Sequence, residues 1–411
     1  MLRNFSINKE SFFNFKIILI IFLVIILLSA GLNTNSKATN TKNSEQQMLK
    51  EFLTKDQLEE EMFSQKILSQ LSVSKLRSVR NNFIDGLGKL QNIEKIDKYI
   101  YQVFYEKGKL KTQFVVTEGK VAGVRFLSVT KKEENLESIK NDFSNLPGEV
   151  SLLVTKKGKN LISLNPDQKM AVGSTFKIAV LSALQEKINS DTINWTDLVV
   201  LKKEDISLPS GDLQNWPIGT KFTVESLAGR MISKSDNTAT DMLIRYIGRK
   251  NIEKKAPDNQ PFLKTKEAFY LKIPENKNVL NNYRNAEKNE KYKILDKINE
   301  KSLSIKSMNL SQNIRALDIE WFFSTKKLKE LMYDISNLDL MTINPGPIQT
   351  NNWQRVAYKG GSEPGVLNYT HMLTSKNGNI YFVTATWNNK ESLNTEKFIK
   401  LYQTLINQLQ K

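Results

Sequence analysis

The chain has 411 residues, 40% of them apolar and 25% charged, enough for one large domain or two ordinary ones, each with a buried core. It contains no cysteine and a single histidine, His371. That excludes thiol nucleophiles, disulfides, thiolate zinc sites and any metal site needing two imidazoles.

The first segment reads as an address. Arg3, Lys9 and Lys16 precede an unbroken apolar run from Ile17 to Leu28, followed by Ser29, Ala30 and Gly31, the layout of a secretory signal. Residues 1–38 are expected to direct export, to the periplasm or the medium. Ser36-Lys37-Ala38 offers a cleavage site, and an uncleaved segment would anchor the protein to the membrane. The run is at the short end for a span. With no cysteine after it, a lipoprotein anchor is excluded. Residues 33–45, rich in Asn, Thr, Ser and Lys, read as a solvated tether.

Residues 45–130 suggest a small α+β domain, helices first and strands after. Thr54 and Gln57 have the spacing of a capping box, and Leu58, Met62, Ile67, Leu68 and Leu71 begin an apolar helical face. A second helix carries Leu76, Val79, Phe83 and Ile84 and stops at Gly86. Three β-patterned runs follow, Tyr99–Tyr105, Thr112–Thr117 and Val121–Val129, separated by turns at 106–109 and 118–120. Residues 130–146, polar and ending in Leu146-Pro147-Gly148, read as a linker.

The second domain is expected over 147–411. Val150–Val154 and Asn160–Leu164 form a hairpin around Lys156-Lys157-Gly158-Lys159. Gly173 then leads into Ser174-Thr175-Phe176-Lys177-Ile178-Ala179-Val180-Leu181, a helix apolar on almost every side and so buried. A Ser and a Lys three apart share one helix face. Burial disfavours an ammonium, so Lys177 is able to act as a base toward the Ser174 hydroxyl. Ser-x-x-Lys alone is weak: it recurs at Ser6/Lys9, Ser72/Lys75 and Ser324/Lys327. Company singles out this copy. Ser235-Asp236-Asn237 lies within a helical stretch over Thr223–Tyr246, and Lys359-Gly360-Gly361-Ser362 closes a strand over Trp353–Tyr358. Together these supply a nucleophile, a base, a proton relay, a positive charge and backbone donors for acyl transfer without histidine.

The three motifs, in this order, resemble those of the class A β-lactamases and penicillin-binding proteins. The resemblance extends from Val150 to the C-terminus and includes an amphipathic last helix with Phe398, Leu401, Tyr402, Leu405 and Leu409 on one face. It implies an α+β fold, a five-stranded antiparallel sheet flanked by helices with a helical lobe. The preceding domain is similar in arrangement to the two-domain β-lactamase-like protein of the clavulanic acid gene cluster, where a steroid-isomerase-like domain comes first.

The resemblance also implies roles. Ser174 would be the acylated nucleophile, Lys177 its base, Ser235 the relay to the leaving atom, and Lys359 the partner of a substrate carboxylate. Asn237 would bind a substrate amide while Asp236 orders its own loop. The backbone N–H groups of Ser174 and Ser362, beside Gly361, would form the oxyanion hole. Two departures stand out. Gly360 replaces the Thr of Lys-Thr-Gly, and no Glu-x-x-Leu-Asn pentapeptide occurs between Arg249 and Lys306. Glu267 and Glu275 are the nearest carboxylates, both expected to be solvated surface groups, with Glu267 the stronger candidate for a deacylating base. A polar insertion spans about Asn276–Ser302.

The leading expectation is therefore an exported serine hydrolase that hydrolyses β-lactams or related esters slowly. A D,D-peptidase or other acyl transferase, or a non-catalytic binding protein on the same fold, stays open. No cofactor or metal is expected, and the partner is a small molecule, not nucleic acid. The net charge of +17 is spread over turns and surface helices without the interleaved aromatics of a nucleic-acid platform. His371 is expected to pack in or on its strand, and Trp216 could line a cleft wall.

Overall fold

The computed structural model describes residues 40–131, 135–301, 314 and 316–410. The apolar run Ile17–Leu28 and the rest of residues 1–39 lie outside the described residues. Among the described residues no helix is long and apolar enough to cross a membrane. The chain divides into two compact units between Glu133 and Glu134.

In the first unit, helices Asn40–Thr54 and Val73–Ile84 pack on an antiparallel meander of β1 (Leu90–Asp97), β2 (Ile100–Tyr105), β3 (Gly108–Thr117) and β4 (Lys120–Lys131), in that spatial order. Leu49, Phe52, Leu76, Tyr101, Val103 and Phe114 form its core. Thr54 ends the first helix instead of starting one, and the stretch behind it holds only a 3₁₀ turn, Glu60–Met62, and one helical turn, Gln65–Leu68. The physical reason is Arg80, whose Nη1 donates to the carbonyls of Phe52 (2.9 Å) and Lys55 (2.6 Å). A cation on these last carbonyls suits the helix C-terminus there. Strand β1 was not expected; it is an edge strand whose sequence, LQNIEKID, is mostly exposed, so it carries little apolar alternation.

The second unit begins earlier than the sequence suggests. Residues 136–144 are not a linker but the helix Leu136–Ser144, started by a capping box at Asn135 and burying Ile139 and Phe143. The strands that follow are β5 (Glu149–Lys156), β6 (Lys159–Leu164), β7 (Met170–Ala171), β8 (Leu198–Val200), β9 (Lys221–Thr223), β10 (Phe322–Phe323), β11 (Trp353–Glu363), β12 (Val366–Ser375) and β13 (Ile380–Asn388). Five of them form the main antiparallel sheet, in the order β11-β12-β13-β5-β6.

Both faces of this sheet are covered, and β5 shows how. Leu152 and Val154 join one core with Phe143, Phe398, Tyr402 and Leu405, while Leu153 joins the other with Phe176, Ile178 and Leu181, as the two-residue period of a strand requires. The second core extends into a helical lobe containing Val224–Ser233, Asn237–Ile247, Arg249–Lys255 and Thr265–Lys272. The expected polar insertion contributes two further helices, Lys277–Asn285 and Lys288–Asn299, which bury Leu280, Tyr283, Leu295 and Ile298.

Candidate active site

Ser174 sits in a 3₁₀ turn, Gly173–Phe176, that runs directly into the helix Lys177–Asn189. In a 3₁₀ turn positions i and i+3 eclipse one another, which stacks Lys177 over Ser174. Residues 177–184 of the helix are all buried, as its apolar composition predicts.

The helical stretch expected around Ser235 is broken. Val224–Ser233 ends, Ser235 adopts a positive φ of 55°, and a new helix runs from Asn237 to Ile247. Asp236 holds this kink. Its Oδ1 accepts from Ala239 N (2.8 Å), and its Oδ2 from Asp212 N (2.8 Å) and Leu213 N (3.0 Å). One carboxylate thus caps a helix and pins a loop, and the left-handed backbone aims Ser235 inward.

The third motif lies inside β11, not at its end. There the strand passes against the turn that holds Ser174: a Cβ on Gly361 would lie 2.1 Å from Val172 O and 2.5 Å from Ser174 N, and one on Gly173 would lie 3.2 Å from Ser362 N. Only glycine at 361 permits this approach, which draws the Ser174 and Ser362 amides together.

Three side chains form a continuous hydrogen-bonded chain. Lys177 Nζ contacts Ser235 Oγ at 3.0 Å, and Lys359 Nζ donates to the same oxygen at 3.1 Å. Lys177 also donates to Ser235 O (2.5 Å) and Asn237 Oδ1 (2.7 Å), and Lys359 to Gly360 O (2.6 Å). Burial, and then the charge of Lys359, push Lys177 well below the usual lysine range. Burial alone pushes Lys359 down to about 7. A neutral Lys177 fits its surroundings, two N–H groups toward carbonyl oxygens and a lone pair toward the Ser235 hydroxyl. No hydrogen bond joins Lys177 to Ser174 Oγ in this arrangement.

Ser174, Ser235, Asn237, Lys359, Gly361 and Ser362 line one cavity of about 480 Å³; Lys177 is fully buried beneath it and reaches the group through Ser235. Glu267 does not line it. It is fully buried, contrary to the expectation of a surface group. Its Oε1 accepts from Arg249 Nη2 (2.5 Å) and Asn299 Nδ2 (2.8 Å), and its Oε2 from Arg249 Nη1 (3.0 Å) and Lys264 N (2.7 Å). Every lone pair that could activate water is engaged. Glu275 is exposed and also off the cavity. His371 is buried behind β11, bonded to Tyr402 OH at 2.7 Å and Pro345 O at 3.0 Å. Trp216 packs on Phe222 and Arg230 and is not among the cavity residues.

The cavity adds residues that no motif marked. Lys272 Nζ donates to Glu363 Oε2 at 2.6 Å and to Glu320. Burial, then the Glu363 charge, hold the Glu320 carboxyl well above the usual range. Phe269, Asn344 and Tyr358 also line the cavity. Glu363 and Tyr358 directly flank the Lys359–Ser362 motif; that adjacency was the available signal.

Residues 134–314 match a family model described as the beta-lactamase enzyme family. The match includes Ser174, Lys177 and Ser235. With the five-stranded antiparallel sheet and its flanking helices, the second unit is a mixed α+β structure matching a β-lactamase fold. Similar solved structures include PBP-A, at 16% identity over 67% of this chain and 93% of that one with a TM-score of 0.47. A β-lactamase from Sphaerobacter thermophilus shows 18% identity over 67% and 96%, TM-score 0.44, and an ancestral class A β-lactamase 14% over 66% and 97%, TM-score 0.47. No curated protein matches the chain by sequence.

Proposed function

We propose that this is a serine hydrolase acylated at Ser174 by β-lactams or related esters, with slow hydrolysis of the acyl-enzyme. The observation that carries the reading is the Lys177–Ser235–Lys359 chain bordering the same cavity as Ser174. Ser174 Oγ attacks the carbonyl carbon and its proton passes to the Lys177 amine. Developing negative charge is taken by the Ser174 and Ser362 amides. The leaving nitrogen or oxygen receives a proton through Ser235 as its bond to carbon breaks, and Lys359 binds a substrate carboxylate. Water later cleaves the ester and returns the proton to Ser174.

Slow deacylation is supported by the carboxylates. Glu267 is tied to Arg249, and Glu363, the acid among the cavity residues, is tied to Lys272. The same observation favours a second reading, transfer of the acyl group to a peptidoglycan-like amine in place of water. The N-terminal apolar run supports export.

Incubation with a fluorescent penicillin followed by intact mass measurement tests the proposal. The native protein gains one adduct and Ser174→Ala gains none. No adduct on the native protein would overturn both readings and favour a non-catalytic binding protein.

A further inference from the structure

The loss of a side chain at Gly360 leaves no hole. A Cβ placed there would lie 2.0 Å from the hydroxyl oxygen of Tyr358 and 2.8 Å from its Cζ. The two residues are i and i+2 on β11 and share one face of the strand, so the phenol tip fills the space a threonine would need. The ring is clamped: a Cβ on Gly346 would meet its edge at 2.6–2.8 Å, and the His371 ring packs behind it with centroids 4.5 Å apart. Tyr358 lines the cavity beside Lys359 and Ser235, and its hydroxyl has no hydrogen-bond partner among the described residues.

An unpartnered phenol is a donor waiting for an acceptor. Its wall already presents the Lys359 ammonium. Building on the acylation reading, we propose that the Tyr358 hydroxyl donates a hydrogen bond to the carboxylate of the substrate, together with Lys359, and so selects anionic acyl donors. Burial holds the phenol above its ordinary pKa, so the proton stays available through the working pH range.

The test compares acylation rate constants for a fluorescent penicillin carrying a free carboxylate and for its methyl ester. Tyr358→Phe keeps the ring and its packing. It is expected to slow the free acid by about tenfold or more, the worth of a hydrogen bond to a charged group, and to leave the ester unchanged. In Tyr358→Ala the preference for the acid is lost, and adding Gly360→Thr recovers it by supplying a hydroxyl from the neighbouring position. Tyr358→Phe with an unaltered preference, an equal loss for both probes, or a double variant no better than Tyr358→Ala would each overturn the assignment. In those cases the native protein is still acylated; absence of acylation in the native protein refutes the hydrolase reading itself.

Discussion

Lys359 gives the proposed reaction a sharp pH limit. The residue is 3% exposed, and burial lowers its ammonium from 10.5 to about 7. The protonated form is the one that can bind a carboxylate. In the free enzyme it is about nine-tenths populated at pH 6 and about one-hundredth at pH 9, tenfold per unit above the pKa. Lys177 must instead be neutral, the direction in which burial and then the Lys359 charge push it. The second-order acylation constant reports on the free enzyme, so with a carboxylate-bearing penicillin it should fall by about two orders of magnitude between pH 6 and pH 9. Stopped-flow fluorescence over that range reads it directly. Lys359→Gln should be slow and flat across the same span. A native profile level to pH 9, or a falling limb that survives in Lys359→Gln, would refute the assignment.

Three further outcomes follow from the packing. Glu267→Gln should leave the lifetime of the acyl-enzyme within about twofold of native, yet lower stability by about 3 kcal/mol, because Arg249 keeps a charge without its partner; intact mass against time and urea unfolding separate the two effects. Gly361→Ala should slow acylation by at least about a hundredfold, since its methyl cannot fit against Val172 O and Ser174 N without moving the nucleophile turn; an adduct forming at the native rate would contradict the close approach. Burial pushes His371 down to about 4, whereas an unfolded chain takes up the proton near 6.5. Stability from this group is therefore full above pH 6.5 and lost on acidification, about 3 kcal/mol by pH 4. The difference between native and His371→Gln in urea titrations at pH 7.5 and 4.5 measures it.

The parts of the site that depend on residue identity were readable along the chain. Ser174 and Lys177 on a buried turn, Ser235 before Asn237, and the Lys359–Ser362 motif needed only order and element context. Features set by distance through space were not. Glu267 resembles a surface acid until Arg249, eighteen residues earlier, is folded against it. The helix Leu136–Ser144 reads as a linker because three apolar residues, Leu136, Ile139 and Phe143, are spread over nine; their spacing and the cap at Asn135 were the signal. Tyr358 has no motif at all, since its place depends on what Gly360 lacks.

The tight passage of β11 beside the Ser174 turn also divides the latitude for change along one strand. At 359 and 361 the proposed reaction would fix the residue, the first by charge and the second by contact with the turn. At 358 and 360 a large side chain on either position excludes one on the other, so the two can trade volume and hydroxyl while the chemistry beside them stays intact. Drift in the range of accepted acyl donors therefore has a path through paired substitutions at 358 and 360, in which each change alone is a poor intermediate.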